Sequence, residues 1–140
     1  MSTVLWANRL VGTGVESQGA DLLFLFRHKR RLDRIARELD HDAFSSLWDD
    51  TDLRVNLDQL ALPEGMQSTD ELMARDGRWV DASAAVALLA ALTAHVRGAR
   101  PKFGLIRNDC DGVLEDLEEA LTYARAAAEL DARFNLAIVL

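Results

Sequence analysis

The sequence predicts a single α+β domain over residues 1–140, with a mainly antiparallel or mixed sheet and three to four helices. Three observations carry that reading. Strand-like segments stand at both ends of the chain, Thr3 to Val11 and Phe134 to Leu140. Two long segments between them repeat their apolar residues at helical spacing. Asp76-Gly77, set between two short extended stretches, has the composition of a hairpin turn. With 49% hydrophobic residues in 140, the chain can close one core without disulfides or metals.

Thr3 to Val11, TVLWANRLV, is β-branched and aromatic with apolar residues on both faces, as a strand covered on both sides requires. Gly12, Thr13 and Gly14 then break it. Ala20 to Leu39 reads as a helix: Leu25, His28, Leu32, Ile35, Ala36 and Leu39 recur at helical spacing, with Arg27, Arg30, Arg31, Arg34 and Arg37 on the other faces. Asp42 suits the N-cap of a short helix in which Phe44, Leu47 and Trp48 share one side. Asp52 to Asp58 is the plainest strand signal, since Leu53, Val55 and Leu57 alternate with Asp52, Arg54, Asn56 and Asp58. Pro63 and Gly65 mark a loop, after which Glu71 to Arg75 and Arg78 to Val80 flank the Asp76-Gly77 turn.

Asp81 or Ser83 caps the next helix, which runs to about Arg97 and carries Ala85, Leu88, Leu89, Leu92 and Val96 on one stripe. Gly98 and Pro101 stop it. A last helix starts at Asp109 or Asp111. It turns Val113, Leu114, Leu117, Leu121 and Ala124 inward and Glu115, Asp116, Glu118 and Glu119 outward, and its first-turn acids complement the helix dipole. The closing FNLAIVL has no polar tail, so it belongs inside the sheet.

Charge narrows the function classes. Asp plus Glu number 23 against 16 Lys plus Arg, a net charge of -7 that opposes general nucleic-acid binding, because neutralising phosphates requires a cationic face. The charges are segregated: the basic run Arg27, Lys29, Arg30, Arg31, Arg34 and Arg37 precedes the acidic run Asp40, Asp42, Asp49, Asp50, Asp52, Asp58, Glu64, Asp70 and Glu71. The longest apolar run, Ala84 to Leu92, is about half of a bilayer crossing, so no membrane association is expected. Cys110 is a lone cysteine, and Met1 to Val11 lacks a basic region followed by a sustained apolar run, so the cytosol is the expected compartment.

No motif specifies a reaction, a metal or a cofactor. Gly12-Thr13-Gly14 has Ser17 where a dinucleotide fingerprint needs its third glycine. A calcium loop from Asp50 would meet Arg54 and Val55 where a ligand and a glycine belong, and one from Asp109 would meet Val113 and Leu114. His28, His41, His95 and Cys110 are dispersed without paired ligand spacing. His28 falls on an apolar stripe and reads as a hydrogen-bonded structural histidine, and the acids beside Cys110 oppose a reactive thiolate.

What remains are surfaces. Trp48 either joins Phe44 and Leu47 in the core or stands as an aromatic anchor inside a charged rim. On the second reading Trp48, Asp49, Asp50, Asp52, Asp58 and Glu64 form a face for a basic protein partner, with the strand's polar side and the following loop presenting the carboxylates together. The opening Ser2-Thr3-Val4-Leu5-Trp6-Ala7-Asn8, the Asp76-Gly77-Arg78-Trp79 turn before an Ala/Leu helix, and Phe134-Asn135-Leu136 at the end together resemble small bacterial immunity-like proteins. That resemblance implies a cytosolic protein that occludes a toxin, and it transfers no functional residue; apart from it, no cofactor is expected, and the chain is expected to be a monomer or homodimer. The alternative is a small enzyme or ligand-binding domain built from dispersed residues such as His41, Asp42, Asp49 and Asp50. A deep cleft with convergent polar groups would mark the alternative; an acidic face with an exposed aromatic would mark the binder.

Overall fold

A computed structural model of the chain describes residues 3–140; Ser2, quoted above in the opening run, lies outside them. The fold is α+β. β1 (Val4–Val11) turns back into β2 (Gly14–Ser17) and pairs along its other edge with the last strand, β5 (Arg133–Val139), both antiparallel. Two short strands share the outer edge of β5. β3 (Trp48–Asp49) runs parallel to it at Leu136 and Ala137, and β4 (Val80–Asp81) antiparallel at Phe134 and Arg133. The sheet order is therefore β2-β1-β5, with β3 and β4 end to end beyond β5.

The apolar strands found at the two ends of the sequence lie side by side at the sheet's centre, as their two-sided hydrophobicity demands. Leu5, Ala7, Phe134, Leu136 and Ala137 are all buried. Gly12 supplies the left-handed residue of the β1–β2 turn at φ 62°, the Gly-first pattern of a two-residue hairpin. A strand follows that turn, not the helix that a phosphate-binding loop requires.

Among the described residues there are six α-helices, against the three to four expected from sequence. The first expected helix is two, α1 (Leu23–Arg27) and α2 (Lys29–Glu38), broken at His28. α3 (Thr51–Leu57) replaces the expected Asp52 to Asp58 strand, and α4 (Thr69–Asp76) replaces the hairpin at Asp76-Gly77. Phe44–Leu47 is a single 3-10 turn, and Trp48 lies beyond it in β3. The two long helices, α5 (Ala82–Ala99) and α6 (Cys110–Glu129), stand where periodicity placed them, and they pack on each other with Leu88, Leu89, Leu92, Val113, Leu117 and Leu121 buried.

α5, α6 and α1 cover one side of the sheet, while α3 and α4 lie against β5 and β2. α5 is also long and apolar enough to cross a membrane by length and composition, a wider span than the Ala84 to Leu92 run read from sequence. In this fold its buried stripe belongs to the core shared with α6.

Candidate functional site

The acidic segment offered by the sequence is a set of internal clamps. Asp49 is 3% exposed; its carboxylate accepts hydrogen bonds from the Thr51 backbone N–H at 2.9 Å, the Thr51 hydroxyl at 3.1 Å and the Arg78 backbone N–H at 2.7 Å. It thereby ties the end of β3 to the segment entering β4. Gly77 makes this approach possible, since a Cβ there would fall 2.9 Å from Asp49 Oδ2 and 2.5 Å from the Met73 carbonyl oxygen. Asp52, also buried, accepts from the Leu140 backbone N–H at 2.8 Å and from the Thr69 hydroxyl at 2.6 Å, joining α3 to the end of β5 and to α4.

Trp48 is buried, stacked 6.0 Å from Phe26 and edge-on to Phe44 at 5.7 Å. Of the six residues read as a partner face, only Asp50, Asp58 and Glu64 are exposed, and Asp50 is paired with Arg54 at 2.9 Å. The strand that was to present the others together is a helix.

Asp49, Asp50 and Trp48 do meet in a cleft of about 740 Å³, together with Lys29, Arg54, Arg78 and Arg133. It opens beside the junction of β3 and β4, where the two short strands divide the outer edge of β5. A buried ladder supports the junction: Asn8 donates to Asn135 Oδ1 at 3.2 Å, and Asn135 Nδ2 donates to the Arg78 carbonyl at 3.0 Å. Trp79 donates its indole N–H to the Met73 carbonyl at 2.8 Å, whereas the indole N–H of Trp48, a residue that lines the cleft, is buried with no acceptor among the described residues. His41 and Asp42 do not line the cleft.

A second group of carboxylates without ion pairs lies on α6 and beside it. Asp116, expected to face solvent on α6, is half-buried and accepts the Phe24 backbone N–H at 2.9 Å, so it caps the start of α1. Burial pushes its carboxyl up to about 6, and Glu115 and Asp21 add repulsion. Asp21 and Glu115 are exposed, and no ion pair reaches any of the three among the described residues. Glu119 reaches Gln18 at 2.6 Å, extending this acidic ground toward β2.

His28, at the break between α1 and α2, bonds through Nε2 to Asp109 at 2.8 Å and meets the Phe103 ring edge at 5.4 Å, the structural role read from sequence. That hydrogen bond, with help from Arg27 at 3.1 Å, holds the Asp109 carboxyl below its ordinary range. The loop between α5 and α6 rests on this network. Phe103 is buried, and Asn108 Oδ1 accepts from the Phe103 and Cys110 backbone N–H groups. Leu105 and Ile106 protrude from it, 96% and 102% exposed. Sequence reasoning passed over this pair because a two-residue apolar step in a loop has no periodicity.

Among the described residues, no group of three or more His, Cys, Asp or Glu side chains is placed to hold a metal ion. No protein-family model, curated protein or solved structure matches the chain. The fold and site define a class: an α+β domain with a polar cleft on its sheet edge and unpaired carboxylates on its helical layer.

Proposed function

We propose that the chain is a small protein-binding module, of the kind represented by immunity proteins that occlude a toxin, and that a basic partner seats on the acidic ground between α1 and α6. One observation carries this reading: Asp21, Glu115 and Asp116 gather without an ion pair among the described residues, and their repulsion adds to the burial that raises the Asp116 carboxyl to about 6. A lysine or arginine brought to such a cluster relieves repulsion that the isolated domain bears, which favours the complex. The net charge of -7 steers a cationic protein toward the domain at longer range. Exposed Leu23, two residues after Asp21, adds an apolar contact beside the carboxylates.

The experiment is a pull-down from the native host, followed by association kinetics of the recovered partner with Asp21→Asn/Glu115→Gln. Slower association with a weaker dependence on salt is expected, because exposed rim charges act on the encounter rate. An unchanged rate with unchanged salt dependence rejects this face. A second reading, a ligand-binding domain, is supported by the cleft at the β3–β4 junction, where Asp49 and Asp50 meet four cationic side chains.

A further inference from the structure

The cleft carries an excess of uncommitted positive charge in a protein that is acidic as a whole. Its carboxylates are already engaged: Asp49 by Thr51 and the Arg78 backbone, Asp50 by Arg54, and Asp76 by Arg75 at 2.7 Å. Among the described residues, three cations on the wall form no ion pair. Arg133, at the start of β5, has an exposed side chain that joins no ion pair among the described residues. Among the described residues, the Arg78 guanidinium reaches the Ser45 carbonyl alone, at 3.5 Å. Lys29 stands 5.0 Å from the centre of the Trp48 ring.

We propose that the cleft at the β3–β4 junction binds a multivalent oxyanion, a ligand bearing phosphate or carboxylate groups, held by Lys29, Arg78 and Arg133. Two guanidinium groups offer fork-shaped donor sets that match such oxygens, and the ammonium supplies a point charge. A volume of about 740 Å³ admits an organic ligand and not just a single ion. The Trp48 indole N–H, on a residue that lines the cleft, is buried without an acceptor, a costly exception that calls for an explanation and adds an independent mark to this site. The clamp that Asp49 places on the Arg78 backbone fixes where that guanidinium starts, so part of the ordering cost of binding is met in advance. This site is separate from the acidic ground on α6, and either reading can fail without the other.

The test is titration of the full chain with inorganic pyrophosphate and, separately, with citrate, against sodium chloride at matched ionic strength, following tryptophan emission. Trp48 and Trp79 both line the cleft and report its occupation. A saturable change with either probe, absent with chloride and weakened about tenfold or more by Arg78→Gln or Arg133→Gln, is the expected result, as for loss of one charge-assisted hydrogen bond. Both side chains are exposed, so the variants keep the fold, which circular dichroism checks, and Lys29→Gln provides a third variant. The stronger probe distinguishes a phosphate from a carboxylate ligand. No saturable change with either probe, or binding that survives Arg78→Gln/Arg133→Gln, overturns the proposal.

Discussion

Removal of the Asp49 carboxylate separates a clamp from a surface charge. In Asp49→Ala the Thr51 backbone N–H, on a residue 3% exposed, loses its acceptor, and so does the partly buried Arg78 backbone N–H. An unmet buried donor costs about 1–3 kcal/mol. Thr51 stands at the full value and Arg78, nearer water, at the low end, so the variant is expected to lose about 2–4 kcal/mol. Asp49→Asn retains one carbonyl oxygen but turns an amide N–H₂ toward the other donor, and about half of that loss is expected. Equilibrium urea unfolding measures both, with Asp58→Ala as the control for an exposed carboxylate, which should stay within about 0.5 kcal/mol of the parent. If Asp49→Ala unfolds at the same urea concentration as Asp58→Ala, Asp49 does not hold β3 to β4, and the description of the cleft's floor is wrong.

Two further outcomes follow from buried groups. Because the Asp116 carboxyl is raised from 3.8 to about 6, the folded chain holds a proton there that the unfolded chain has released; its contribution to stability is present below 3.8 and is lost as pH rises through about 6. The stability of the parent relative to Asp116→Asn should therefore fall across that window and level off above it, measured by urea unfolding at a series of pH values. A difference independent of pH would show that the carboxyl is not desolvated. Leu89→Asp places a charge at a position with no solvent exposure in the middle of α5, and should cost several kcal/mol or prevent soluble expression. An unchanged melting temperature would remove α5 from the core.

The central strands and the two long helices were legible because each carries its burial in its own pattern. β1 and β5 are apolar on both faces, and α5 and α6 repeat at helical spacing over many turns. The region from residue 49 to 80 was misread for two different reasons. In α3 the alternation of Leu53, Val55 and Leu57 fits a strand, but the fold buries Thr51 and Asp52 and leaves Leu57 62% exposed, so polar clamping overrode hydrophobic pattern. No single-sequence signal announces that inversion. At α4 a signal was present: Ser68 accepts the Glu71 backbone N–H, the Ser-x-x-Glu start of a capped helix, and it outweighed the turn composition of Asp76-Gly77. Gly77 has φ -74°, an ordinary backbone with no need of a hairpin turn.

The candidate site was half legible for the same reason. Asp49, Asp50 and Trp48 do gather in one place, but distant Lys29, Arg78 and Arg133 set its sign, and only the sheet's topology brings them together.

β5 lies in the middle of the sheet yet follows all the sheet's other strands in the chain, and its register joins Val4 to Val139 and Leu10 to Arg133. While a ribosome makes the chain, the β1–β2 hairpin emerges before β5 and keeps one side of β1 without its partner until β5 arrives. An unpaired strand edge of this kind is open to pairing with neighbouring nascent chains, and closing so long a loop is slow. Codon choice, translation speed and chaperone supply thus bear on the yield of native protein through the interval between these two strands, and a circular permutant that fuses β5 ahead of β1 would shorten that interval to a hairpin.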